Sequence, residues 1–198
     1  MSETYISIDI EADGPAPGLS SMLSLGAAAF ILDDTQPQGW RQLDTFQGVL
    51  QPLPEATPDP KTMAWWNTQP KAWKAATEGA VDPAQVMRRF VDWVSKFDQP
   101  VLTGYPVTYD FMWVYYYTIR FTGFLAPFGF QGLDIKTLAM ERMSCDFKRA
   151  TKRNMPRAWF KGAPKHTHEA LDDAIGQGVL LMNLLTTERN NKIRRMQK

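Results

Sequence analysis

The chain has 198 residues, 44% hydrophobic and 22% charged, enough for one sizeable core in a single α/β domain. Its 22 lysines and arginines against 21 aspartates and glutamates leave a net charge of +1, which excludes a chain-wide attraction for polyanions and leaves that task to local patches. The single cysteine, Cys145, excludes an intrachain disulfide, reads as a small buried hydrophobe, and fits a reducing compartment.

Met1-Ser2-Glu3-Thr4 lacks the basic and apolar regions of a secretory leader. No apolar run approaches the roughly 18–20 residues that span a bilayer, so no membrane partner and a cytoplasmic location are expected. Tyr5–Glu11 alternates β-branched and aromatic residues with polar ones and reads as a buried strand. A turn cluster from Ala12 to Gly18 follows, then a second strand over Met22–Leu32 and a third over Leu43–Leu50. The proline-rich stretch Pro52–Pro60 leads into helical sequence over Lys61–Ala76, interrupted at Pro70. Pro83–Phe97 is amphipathic, with Val86, Phe90, Trp93, Val94 and Phe97 at spacings of three and four. Asp82 before Pro83 supplies a cap and a proline at the first helical position.

A short strand over Pro100–Thr103 ends in Gly104-Tyr105-Pro106, and Phe111–Phe121 is apolar all round, as in a buried helix. Phe130–Leu133 reads as a fifth strand, Ile135–Met143 as a helix, Phe147–Lys165 as a long loop, and Glu169–Thr187 as the last helix. The domain is expected to cover residues 1–188, with a basic C-terminal tail at 189–198. The order β-β-β-α-α-β-α-β-α-α describes three antiparallel strands extended by parallel ones through helical crossovers.

Three groups of polar residues stand out. Asp9 and Glu11 are two apart in a strand, so both carboxylates leave one face. Buried together they repel and resist desolvation, penalties that a divalent cation relieves; on an edge strand they would simply face water. Asp110 lies near the start of the apolar helix, where it could serve only as a cap. The two histidines, His166 and His168, precede the acidic pair Asp172-Asp173 at the head of the last helix. Those acids could merely favour the positive end of the helix dipole. Helical periodicity leaves Asp172 and Asp173 equivalent, each about 130° from the apolar stripe.

Together, Asp9-Ile10-Glu11, Tyr109-Asp110 and His168-Glu169-Ala170-Leu171-Asp172-Asp173 resemble the three motifs of the DEDDh family of 3′→5′ exonucleases. The segment Thr62-Met63-Ala64-Trp65-Trp66-Asn67-Thr68-Gln69 is similar to one in a branch that holds bacterial exoribonucleases and phage DNA exonucleases. The resemblance implies a ribonuclease H-like fold: a mixed five-stranded sheet flanked by helices. It implies that Asp9, Glu11, Asp110 and Asp173 bind two divalent cations, Mg²⁺ or Mn²⁺, and that His168 is the general base. The implied partner is single-stranded nucleic acid, with RNA favoured over DNA, and a homodimer is among the assemblies expected. Ala12, Asp13, Gly14, Met22, Leu23, Trp65, Trp66 and Lys165 are the expected substrate contacts, Met22 or Leu23 as a wedge and one tryptophan as a base platform. One departure is Tyr105-Pro106, where the family often has His-Asn. From Phe147 to Lys165, seven basic residues (Lys148, Arg149, Lys152, Arg153, Arg157, Lys161, Lys165) occur with no acid between them, a candidate track for phosphates.

Overall fold

The computed structural model describes residues 3–123 and 127–196, with only the backbone for 188–196. Five strands pair in the order β3-β2-β1-β4-β5. They are β1 (Thr4–Ala12), β2 (Met22–Leu32), β3 (Trp40–Val49), β4 (Pro100–Gly104) and β5 (Gly132–Asp134). The first three are antiparallel; β4 joins β1 in parallel and β5 joins β4 in parallel. The helices are α1 (Pro60–Trp66), α2 (Pro70–Thr77), α3 (Pro83–Val94), α4 (Val107–Thr122), α5 (Ile135–Met143) and α6 (Ala170–Met196). No described helix is long and apolar enough to cross a membrane.

The period-2 alternation of β1 divides the molecule into two layers. Ile6, Ile8 and Ile10 face α3 and α4, where they pack with Phe90, Trp113 and Tyr117. The opposite face carries Tyr5, Ser7, Asp9 and Glu11, and α6 lies on that side, against Ala28 and Phe30 of β2. Helix α6 comes unusually close. A β-carbon at Gly26, the residue paired with Asp9, would stand 2.3 Å from the Ala170–Leu171 backbone. One at Gly178 would meet the Phe30 ring at 2.1 Å.

Several boundaries differ from the sequence reading. Strand β3 begins at Trp40 rather than Leu43, because a bulge between Ala29 and Phe30 shifts the register and lets Trp40 pair with Leu32. Helix α4 begins at Val107 rather than Phe111. Pro106 is its N-cap and has no side chain to cap with; the Val107 N–H donates instead to Asp134 Oδ2 at 2.9 Å. Asp134 also caps α5, accepting from the Thr137 N–H. The segment Phe147–Lys165 is not a loose loop. It contains three 3₁₀ turns, Phe147–Arg149, Lys152–Asn154 and Arg157–Phe160, anchored by buried Ala150, Met155 and Trp159. Helix α6 continues through much of the expected basic tail, as far as Met196; the tail's side chains lie outside the described residues.

Candidate active site

Asp9 and Glu11 stand near the C-terminal end of β1. Asp173, in the first turn of α6, closes on them from above, so that one carboxylate oxygen from each of the three lies within 4.8 Å of the others. Asp110 approaches from α4, where its Oδ1 accepts the Ile10 N–H at 3.2 Å. It sits inside the first helical turn and bonds to β1, so it is not a cap of its own helix. The tie between Asp172 and Asp173 is broken by geometry. Asp173 is 5% exposed and points at the strand, whereas Asp172 turns outward to accept from the Thr167 hydroxyl.

This is an expensive arrangement without a counter-charge. At an effective dielectric of about 20, two carboxylates about 4.8 Å apart repel by roughly 3–4 kcal/mol. Burial, then Asp110, Glu11 and Asp173, push the Asp9 carboxyl well above the usual range, with Lys152 pulling the other way. Burial, then Asp173 and Asp110, raise Glu11 to about 8. Burial raises Asp110 to about 7 against the pull of the Ile10 N–H and Lys152. An all-oxygen donor set of this charge fits hard divalent cations such as Mg²⁺ or Mn²⁺. Asp9, Glu11, Asp110 and Asp173 are the residues that would hold them.

His168 has a left-handed backbone, φ 58°, rare for a residue other than glycine. Its imidazole is pushed below its ordinary pKa, first by burial and then by the charge of His166, against the opposing effect of Asp173. The edge of the Trp65 ring packs against it, centroids 5.2 Å apart.

Two polar neighbours were given no role from the sequence: Gln177, which was not singled out, and His166, which was named only as one of the two histidines. Gln177 is 3% exposed, and its Nε2 donates to Asp9 Oδ1 at 2.6 Å. Its Oε1 is buried without a partner among the described residues. The signal was available: Gln177 is four residues after Asp173 and shares its helical face. His166 Nδ1 lies 2.7 Å from Asp173 Oδ1, whereas His168 makes no such bond. His166 stands two residues before His168 in the same loop.

The expected substrate contacts divide sharply. Trp65 is 39% exposed at the rim of the site and Trp66 is 2% exposed, its Nε1 donating to the Ala12 carbonyl at 2.9 Å. Lys165 is exposed. Asp13 is buried and accepts the Ser21 N–H, and the Gly14 carbonyl accepts the Tyr109 hydroxyl at 3.3 Å. Met22 and Leu23, expected as a wedge, are both buried. Met22 is wholly buried, and its N–H donates to the Tyr117 hydroxyl. Leu23 is covered by Trp66, Ala72 and Ala76 of α1 and α2. In the β1–β2 connection the large apolar side chain in solvent is Leu19, 73% exposed.

Tyr105, in place of the usual histidine, has a structural task. Its hydroxyl donates to the Ala150 carbonyl at 2.7 Å, tethering the basic segment to the end of β4. Lys152 lies above the same ring, 5.1 Å from its centroid, and lines a cavity of about 160 Å³ with His166, Asp173 and Gln177. A wider apolar groove on α4, lined by Phe111, Met112, Tyr115 and Tyr116, carries no carboxylate, histidine or cysteine.

A five-stranded mixed sheet with this acidic cluster at the end of β1 has the fold of the DEDDh nuclease domains with which it superposes. The chain belongs to the Rv2179c-like 3′-5′ exoribonuclease domain family, whose profile matches residues 4–185. It is 30% identical over 182 residues to the 3′-5′ DNA exonuclease Cap18 of Escherichia coli, spanning 90% of this chain and 89% of that one. The nuclease domain of 3′hExo, a DEDDh family member bound to rAMP, superposes with a TM-score of 0.67 at 12% identity, over 95% of this chain and 93% of that one. E. coli exonuclease I in complex with a dT13 oligonucleotide superposes with a TM-score of 0.64 at 15% identity, over 98% of this chain and 43% of that one. These two likenesses establish the fold.

Proposed function

We propose that the protein removes 5′-mononucleotides from the 3′ end of single-stranded nucleic acid, with RNA favoured, using two divalent cations and His168 as general base. The observation that carries this reading is the convergence of Asp9, Glu11 and Asp173 within 4.8 Å. When bound, the cations supply neutralisation of the phosphate and of the attacking and leaving oxygens. Asp9, Glu11, Asp110 and Asp173 would hold them. Gln177 fixes the Asp9 carboxylate through Oδ1. The lowered pKa of His168 keeps its imidazole neutral, and so able to accept the proton of the attacking water, near pH 7. The water oxygen bonds to phosphorus as the bond to the 3′-oxygen breaks. Trp65 offers a ring for the terminal base, and the exposed cations from Lys148 to Lys165 face the backbone. The single cysteine supports a cytoplasmic location, and a homodimer stays part of the proposal by likeness to the family.

The preference for RNA rests on the family's description as an exoribonuclease domain. A second reading, DNA, is favoured by the 30% identity to a DNA exonuclease. Matched single-stranded RNA and DNA, with free and blocked 3′ ends, separate the two. Nucleotide release should require Mg²⁺ or Mn²⁺ and a free 3′ end, and Asp9→Asn should abolish it with the fold intact. Cleavage in chelator, or indifference to the block, defeats the proposal. Faster release from DNA than from RNA replaces the first reading with the second.

A further inference from the structure

Two donor sets of different chemistry meet at Asp173. On the strand side, Asp9, Glu11 and Asp173 offer oxygen alone. On the loop side, His166, His168 and Asp173 also bring one ligating atom each to within 4.8 Å of the others, and two of these are imidazole nitrogens. The histidine rings stand edge to face, 4.2 Å between centroids, and His166 Nδ1 is already 2.7 Å from Asp173 Oδ1.

We propose that His166, His168 and Asp173 form a binding site for a borderline transition metal of the Zn²⁺ class, and that an ion held there switches the exonuclease off. Imidazole nitrogen suits Zn²⁺, whereas Mg²⁺ keeps to carboxylate and water oxygens. Zn–N bonds of about 2.0–2.1 Å place tetrahedral donors about 3.3 Å apart, so no pair within the 4.8 Å group needs to close by more than about 1.5 Å, and the His166–Asp173 pair only opens slightly from 2.7 Å. His166 can make that movement, because its side chain is 59% exposed. His168 is held in place by its left-handed backbone and by Trp65. An ion at this site uses the nitrogen lone pair with which His168 would accept a proton, and it draws on the same Asp173 carboxylate as the strand-side set. The binding is independent of the proposed function; the inhibition rests on it.

The test uses the full-length protein stripped with chelator and titrated with Co²⁺, read by visible absorption and followed by Zn²⁺ displacement. Wild type should show the bands of nitrogen-ligated Co²⁺ in low coordination, and Zn²⁺ should erase them. His166→Ala and His166→Gln should lose the bands while melting like wild type. Glu11→Gln, which damages only the oxygen set, should keep them. Bands unchanged in both His166 variants, or lost in Glu11→Gln, overturn the site. In Mn²⁺-supported nucleotide release, the Zn²⁺ concentration for half-inhibition should rise by roughly tenfold or more in His166→Ala. Equal inhibition of wild type and variant overturns the switch. If wild type releases no nucleotide with Mg²⁺ or Mn²⁺, the exonuclease reading falls, and the Co²⁺ spectrum still decides the site.

Discussion

Asp9 on β1 and Gln177 on α6, 168 residues apart, are joined by a 2.6 Å hydrogen bond in which the amide Nε2 donates to the carboxylate Oδ1. The bond holds one oxygen and so dictates where the other points. Partners of this kind, one shell behind a metal ligand, commonly change activity by about 10–100-fold when removed. Gln177→Leu should therefore lower kcat by about that factor with little change in KM. Steady-state kinetics beside a thermal melt check this; an unchanged kcat in a folded variant shows that Asp9 needs no such guide.

His168→Ala should lower the rate of the chemical step by about 10²–10⁴-fold, the usual contribution of a general base. The rise in melting temperature on adding Mn²⁺ should persist, since the four acids remain. The acid limb of the wild-type pH–rate profile should fall below the ordinary histidine value of 6.5. A variant that keeps full single-turnover rate rules out the role.

The two adjacent tryptophans should behave as opposites. Trp66→Ala removes a buried ring and its bond to Ala12, and should destabilise by about 3–5 kcal/mol. Trp65→Ala should melt near wild type but raise KM for a single-stranded substrate by roughly tenfold, within the range of one base–aromatic stack. Denaturant titration and kinetics on both variants decide it; equal loss of stability would mean that Trp65 is a core residue.

Stability in chelator should fall as pH rises from about 4.5 to about 8. Glu11 titrates near 8 in the fold against 4.5 when free, so the native state binds more protons than the unfolded state across that window. Unfolding free energy then decreases with pH. Mg²⁺ or Mn²⁺ should restore the loss, and Glu11→Gln should raise the metal-free melting temperature at pH 8. For a chain of this length about 1 kcal/mol corresponds to roughly 2–4 °C. Melting scans across pH, with and without cation, measure it, and a flat metal-free profile contradicts the burial argument.

Strand β2 and helix α5 have the bounds their sequences imply, because turn or cap residues flank them: the Ala12–Gly18 cluster and Asp33-Asp34 around β2, and Asp134 before α5. The same-face placement of Asp9 and Glu11 follows from the strand period alone. What escaped the sequence depends on contacts between distant segments. The start of α4 is set by Asp134, 27 residues downstream, so no local cap signal marked Val107. Met22 and Leu23 look available beside a turn, yet they are covered by Tyr117 and by α1–α2. Asp172 and Asp173 are equivalent on a helical wheel and differ only once α6 lies across β1. The bond from His166 to Asp173 depends on the path of a loop for which local periodicity gives no rule.

Gly26 sits opposite Asp9, where the backbone of Ala170 and Leu171 presses down with no room for a methyl group. The gap between the acids of β1 and the acid of α6 is thus gauged by a missing side chain, as a shim is judged by its thickness. Adding one carbon there leaves every acid of the site chemically intact while lifting the helix that carries Asp173 and Gln177. The aperture of the site is in this sense written at a residue with no functional group, and Gly26→Ala would be an allele that looks silent on any inventory of motifs.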